Sequence, residues 1–492
     1  MKIVFVHFGR ENLGIEYLSS VLKKQGYQVE LVYDCGLFSR EDNVFYSPFL
    51  ERIFKKKDIV RKVIAKKPDI VAFSVYTTTY KWSCETAIAI KKYIPVPIVF
   101  GGIHPTLVPE KVISLPFVDY VIIGEGEYSF LSLVCAVSEN SGLGKVDNLY
   151  YKKNGKIIQN PLASPIRDLD ELPFPDKELF ADSVRHKDDY LILTSRGCPF
   201  SCSYCCESFL NNLYHDKYFR RRSVESVIKE LTTMRDRYRF KEVMFFDSIF
   251  FTDKEWLKGL LLRYNKEIGV PFRCTGHVSF FDYEIGRLMK HCGCYCIDFG
   301  VQTLNSNIRK EILGRNEDNS QIKKAFTICD ELGLSYDVDL IFGLPGTKRD
   351  DYELPLDFMK DNKYLNRLKC YYLSYYPRLS LVDKAKALGI LDENDLERIE
   401  EGDIADWFHL DHIRDQEHRE WKDVFEKLYK VYPLFPSSLR SLIGRRKLYW
   451  MFHFIPNLLI VFIQLFIAML HRDHRFKIYI KNYFFHIRKH FF

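Results

Sequence analysis

The chain has 492 residues, enough for two or three domains with an ample core, and an ordinary 47% apolar content. Its net charge of +7 is concentrated: residues 471–492 hold six Lys/Arg against Asp473, so +5 of that total sits in the tail. This excludes a uniformly basic face for nucleic acid, and none is expected as a partner. Thirteen cysteines behind no visible signal peptide exclude a disulfide framework and point to reduced thiols in the cytoplasm.

Residues 1–144 alternate strand-like and helix-like runs at βα lengths. Lys2–Phe8 is apolar and β-branched, Leu18, Val21 and Leu22 share a helical face, and Tyr27–Tyr33 returns as a strand ending at Asp34. Asp69–Val75, Pro97–Phe100 and Asp119–Ile123 repeat the pattern, each ending in polar or glycine-rich residues. A parallel, doubly wound, Rossmann-like sheet follows, with ligands at the carboxyl ends of its strands. Residues 145–188 read as a joint: Asn154-Gly155 signals a hairpin, and Pro161, Pro165, Pro173 and Pro175 make the rest irregular.

Strand–helix alternation resumes at Leu191, and residues 189–380 supply six strands, expected to form a partial (β/α)6 barrel of TIM type with its site at the strands' carboxyl ends. Directly after the first strand comes Thr194-Ser195-Arg196-Gly197-Cys198-Pro199-Phe200-Ser201-Cys202-Ser203-Tyr204-Cys205, three cysteines spaced C-x3-C-x2-C. Three thiolates on one loop suit an iron–sulfur cluster with one iron free of protein, whereas structural zinc closes with four ligands. Cys206 follows at once, so its side chain is expected to point away. Cys292, Cys294 and Cys296 alternate along a strand and are expected to share one face, as packing residues rather than a second cluster.

Residues 381–444 read as helical, with the acidic run Glu393–Asp406 as a solvated face and no ligand spacing among His409, His412 and His418. Leu448–Leu470 is uncharged for 23 residues, preceded by Arg445-Arg446-Lys447. Its length and flanks point to membrane association, spanning or in plane, of the 445–492 tail; a buried helix is the other reading. Localisation is then cytoplasmic, at or on the cytoplasmic membrane.

The cysteine loop resembles the signature of the radical S-adenosylmethionine (radical SAM) enzymes, C-x3-C-x-aromatic-C, with Tyr204 as the aromatic. The resemblance implies that Cys198, Cys202 and Cys205 hold a [4Fe-4S] cluster whose open iron binds S-adenosyl-L-methionine. One electron then splits the sulfonium, and the resulting 5′-deoxyadenosyl radical takes a hydrogen atom from substrate. It further implies that Asp247 and Ser248 hold the methionine amino group, that Gln302 lies near ribose and methionine, and that the Gly343-Leu344-Pro345-Gly346 turn packs near adenine; Arg315, by its planar fork, is expected to meet the carboxylate. Residues 1–144 resemble the cobalamin-binding domain of one class of these enzymes, through Leu13-Gly14-Ile15-Glu16, Gly101-Gly102-Ile103-His104 and Gly124-Glu125-Gly126-Glu127. Gly14, Gly102, His104, Gly124, Glu125 and Gly126 are its implied cobalamin residues. The D-x-H-x-x-G stretch that supplies an axial histidine in many cobalamin proteins is absent.

The chain is thus similar to the group containing anaerobic magnesium-protoporphyrin ester cyclase and the carbon methylases. The expected function is cobalamin-dependent methyl transfer to an unactivated carbon of a small-molecule or lipid-like substrate, with an electron donor such as a flavodoxin or ferredoxin. Radical oxidation, cyclisation or rearrangement without methylation is the alternative chemistry. A membrane-associated iron–sulfur binding or sensor module is the non-enzyme alternative.

Overall fold

The computed structural model describes residues 1–39, 47–54, 58–215, 218–403, 416–470, 480–481 and 483–488. Near-continuous apolar runs build its first sheet. β1 (Lys2–Phe8) is buried on both faces, as a parallel strand covered by helices must be. It lies between β2 (Gln28–Asp34) and β3 (Ile70–Ser74), and β4 (Ile98–Gly101) and β5 (Tyr120–Ile122) continue the parallel order β2-β1-β3-β4-β5. Strand order reverses at β1, so a crevice opens beyond the carboxyl ends of β1 and β3. Helix Leu13–Lys24 starts at that crevice, where the Asn12 side chain accepts from the Ile15 backbone N–H and so caps the first turn. The Asn154-Gly155 hairpin, β6 (Leu149–Lys153) and β7 (Lys156–Gln159), pairs antiparallel with β5 and extends this sheet rather than lying free in the joint.

The second sheet is the expected partial barrel. β8 (Tyr190–Ile192) is followed by the short β9 (Ser195–Arg196), which pairs antiparallel with β10 (Arg220–Arg221). β11 (Val243–Phe245), β12 (Phe272–Gly276), β13 (Cys294–Gln302), β14 (Ser335–Phe342) and β15 (Leu365–Tyr372) complete a parallel order β8-β11-β12-β13-β14-β15. Among the described residues no pairing joins β15 to β8.

The cysteines of β13 do not share a face. Phe272 pairs with Cys294 but Arg273 pairs with Cys296, a register slip that leaves Tyr295 as an extra residue. Phe272 and Arg273 point to opposite sides of β12, so their partners do too. Cys294 packs in the apolar core, while the Cys296 thiol turns to Asp337 at 3.6 Å in the lumen. Cys296, Asp298 and Asp337 bring their ligand atoms within 4.8 Å of one another, but Lys369 already supplies the cation, with its Nζ 3.1 Å from Asp298 and 3.2 Å from Asp337.

Helix Gln416–Val431 buries Phe425, Leu428 and Tyr429 in the barrel's core. The acidic run is not merely solvated: Lys111 of the first sheet's helices lies 3.6 Å from both Glu400 and Glu401, and Lys81 pairs with Asp403. His409 and His412 lie outside the described residues, as do the side chain of His418 and residues 471–479 of the basic tail. The Leu448–Leu470 stretch is broken. A 3-10 helix, Leu448–Phe454, and a helix, Asn457–Leu470, meet at Ile455-Pro456 with a bend of 109° up to Phe466. Proline lacks the N–H that would continue the first helix. No single helix among the described residues is long and apolar enough to cross a membrane.

Candidate active site

The carboxyl ends of the first sheet face the cysteine loop across a cavity of about 460 Å³. One wall carries Asn12, Gly14, Tyr76, Gly102, Gly124 and Gly126; the other carries Gly197, Glu207, Phe246 and Ser248.

The cysteine loop is fixed from beneath. Asp247 is fully buried, and its Oδ1 accepts from the Thr194 backbone N–H (2.9 Å), the Thr194 hydroxyl (3.0 Å) and the Ser195 hydroxyl (2.5 Å). Gly197 has φ +84°, and a Cβ there would stand 2.6 Å from the Tyr218 carbonyl, so the turn into Cys198 requires glycine. The Ser203 hydroxyl donates to the Ile312 carbonyl (2.6 Å) and its N–H to the Leu313 carbonyl (3.0 Å), seating the loop on the segment that leads to Arg315. Burial pushes all three thiols up, Cys198 to about 11. Such thiols ionise when a metal's charge is beside them.

On the sheet side the glycines are steric. Gly102 has φ +95°, and its Cβ would meet the Val75 N–H at 2.9 Å. A Cβ on Gly124 would meet the Tyr214 hydroxyl at 2.1 Å. The neighbouring carboxylates reach across to the barrel. Glu125 accepts from Arg220 at 2.7 and 3.0 Å and from Arg196 at 3.3 Å; Glu127 accepts from Arg196 at 2.5 Å. Burial alone would push the Glu125 carboxyl up, but these guanidiniums hold it below the usual carboxylate range. Arg196 also lies 5.3 Å from the centre of the Tyr17 ring. One link between the two sheets, Glu127 to Arg196, therefore passes through the cysteine loop itself, and Arg220 of β10 makes another.

Residues 6–134 match the B12 binding domain family and residues 192–359 the Radical SAM superfamily. The chain is 31% identical over 355 residues to an uncharacterized methyltransferase of Pyrococcus horikoshii, covering 71% of this chain and 72% of that one. It belongs to the cobalamin-binding radical SAM enzymes. Two solved structures share the fold. The cobalamin-dependent radical enzyme OxsB has a TM-score of 0.68 at 17% identity over 92% of this chain and 72% of its own. The radical methyltransferase TsrM of Kitasatospora setae has 0.62 at 19% over 79% and 77%.

The residues fit the cofactors of such an enzyme. Gly14, Gly102, Gly124 and Gly126 line one wall, so a large flat ligand meets backbone there rather than side chains. On the other wall Glu207 has one buried oxygen, Oε2, with no hydrogen-bond partner, while Oε1 accepts from the Ser248 hydroxyl at 3.3 Å. Burial pushes this carboxyl up. An orphaned oxygen beside the cysteine loop suits a cationic group of a bound ligand.

Several residues implied by the family resemblance stand elsewhere. His104 does not line the cavity. It is fully buried, its ring centre 4.0 Å from that of Tyr80 and its Nδ1 3.1 Å from the Thr77 hydroxyl, and burial brings its pKa down to about 3. Asp247 supports the loop from below, whereas its neighbour Ser248 reaches the cavity. Gln302, at φ +69°, sits where the register between β13 and β14 shifts. Gly343, at φ +77°, follows β14 as a turn. Arg315 is buried, and its side chain is bonded to Glu317, Tyr204, His277 and the Gly300 carbonyl. Sequence reasoning passed over Arg196 as a cross-link, although it lies inside the cysteine motif. It also passed over Glu207, whose only signal is its place two residues after Cys205, and Glu317, whose signal is its place two residues after Arg315.

Proposed function

We propose that the chain is a cobalamin-dependent radical methyltransferase that adds a methyl group to an unactivated carbon of a small-molecule or lipid-like substrate held in this cavity. The observation that carries the reading is the face-to-face placement of the glycine edge and the cysteine loop around one cavity. Cys198, Cys202 and Cys205 hold the [4Fe-4S] cluster; Ser248 and Glu207 meet the polar end of S-adenosyl-L-methionine; Gly14, Gly102, Gly124 and Gly126 let backbone approach cobalamin. When bound, the cluster and S-adenosyl-L-methionine supply a carbon-centred radical that takes a hydrogen atom, and cobalamin supplies the methyl group. The chain's own part is placement. Asp247 and Arg196 fix the loop's position, while Tyr76 and Phe246, each about half exposed, line the cavity. His104 and His7 are withheld from the cavity, His7 being bonded to the Arg10 carbonyl at 2.7 Å. Anaerobic reconstitution with cobalamin, followed by product analysis, tests this. S-adenosylhomocysteine should form alongside 5′-deoxyadenosine in a methylated reaction; deoxyadenosine with no methyl transfer to any accepted substrate overturns methylation in favour of oxidation or cyclisation.

The electron enters from a donor of flavodoxin or ferredoxin type. The C-terminal helices seat the enzyme on an anionic membrane surface. Trp450, Met451, Phe454, Leu458, Phe462 and Phe466 are each about half exposed or more, on the side away from the buried Tyr449, Phe452 and Ile460. The exposed Arg445, Arg446 and Lys447 precede this apolar face. Co-sedimentation of the full chain with vesicles containing anionic lipid, lost in Phe454→Glu/Phe462→Glu, supports the docking. Equal behaviour of the two proteins overturns it.

A further inference from the structure

We propose that Arg315 sets the reduction potential of the cluster held by Cys198, Cys202 and Cys205, with Glu317 acting against it. The inference rests on those cysteines holding the cluster, as above. A guanidinium has five N–H donors. Here Nε donates to Glu317 Oε1 (2.6 Å), Nη1 to the Tyr204 hydroxyl (3.2 Å), and Nη2 to both the Gly300 carbonyl (2.7 Å) and His277 Nε2 (2.8 Å). The segment leading to Arg315 runs along the loop on both sides of Cys202: the Ser203 N–H donates to the Leu313 carbonyl (3.0 Å), and a Cβ on Gly314 would stand 3.7 Å from the Ser201 carbonyl. Four of the five donors are thus taken within the protein, leaving at most one for the carboxylate of a bound cofactor. His277 accepts through Nε2, so that nitrogen carries no proton and the ring adds no second positive charge.

Arg315 is therefore a buried cation bonded to Tyr204, the residue that stands between the cluster ligands Cys202 and Cys205 in the loop. Its relative exposure is 7% and that of Glu317 is 6%, so water screens neither charge strongly. Hydrogen bonds to the sulfurs, net charge and solvent exposure are what set such potentials. Reduction of the cluster takes one electron from the donor and no proton, leaving one more negative charge beside this site. A neighbouring cation favours that state, and Glu317 partly cancels the cation. The arrangement gives two substitutions opposite signs. Loss of Arg315 makes the cluster harder to reduce, and loss of the Glu317 charge makes it easier. A purely structural role does not produce that pair of signs.

The test is a redox titration of the full chain, reconstituted anaerobically, with the reduced cluster followed by electron paramagnetic resonance and iron counted separately. Arg315→Met should lower the reduction equilibrium at least tenfold, about 59 mV for a one-electron couple. Glu317→Gln should raise it, and Arg315→Lys, which keeps the charge, should fall between Met and wild type. Unchanged potentials, or shifts of Met and Gln in the same direction, overturn the proposal. If the Met variant assembles no cluster, the sign of the Gln shift decides. Failure of the wild-type protein to bind iron overturns the cluster assignment itself, a distinct result.

Discussion

The two walls of the cavity spend their charged residues in opposite ways. On the barrel wall the buried charges point behind the cysteine loop. Asp247 binds the loop's entry and Arg315 its Tyr204, leaving Ser248 and the orphaned Glu207 oxygen for a ligand. The sheet wall offers a ligand glycine backbone beside the uncharged Asn12 and Tyr76, and the carboxylates of the Gly124–Glu127 motif cross to the other side. Glycines and acids that stand next to each other in one motif thus answer to different constraints. The glycines meet tight backbone turns at the cavity's edge; the acids bind arginines of the facing barrel.

The largest effect belongs to the barrel wall. Cys202→Ala should abolish both iron binding with its brown absorbance and 5′-deoxyadenosine formation, because no neighbouring thiol is placed to replace it. Cobalamin binding should persist, since the glycine edge is built from another sheet. Retention of the cluster, or joint loss of cobalamin, breaks the division of labour between the walls.

The link across the cavity comes next. Arg196→Gln strips Glu127, 6% exposed at its side chain, of its cation and weakens the hold on Glu125. Leaving a buried charge uncompensated costs about 3 kcal/mol or more, read as a lower denaturant midpoint. Adding Glu127→Gln should recover much of that loss, and a double-mutant cycle gives the coupling directly. Additive losses would show that the two residues do not act on each other.

What could be read beforehand follows the same division. The cysteine loop, its preceding strand and the six-stranded barrel were legible because local spacing and alternation carry them. The Glu125–Arg220 and Glu127–Arg196 pairs span 95 and 69 residues, and no local pattern announces such a meeting. Arg315 was noticed for the right chemistry, a guanidinium fork, but its partners His277 and Gly300 come from the end of β12 and from β13, two strands that only the assembled sheet brings together. The expected common face for Cys294 and Cys296 failed on one bulged residue, Tyr295, because strand alternation holds only while the register does. The apolar run Leu448–Leu470 had the length of a membrane span, yet Pro456 breaks it into two pieces.

The smallest of these effects concerns His104, which lies behind the sheet wall rather than in it. Its folded pKa is about 3 against an ordinary value of 6.5, because burial beneath Tyr80 disfavours the charged ring. The unfolded chain therefore binds more protons than the folded one between those two values. Stability is whole above pH 6.5 and falls as pH drops toward 3, with about 2 kcal/mol lost by pH 5 from this residue. His104→Gln removes a titrating group and should flatten the acid limb of a stability–pH curve by that amount, measured as denaturant midpoints between pH 7 and 5. If His104 instead faced bound cobalamin, the same substitution would alter the cobalamin absorption spectrum and leave the acid limb steep.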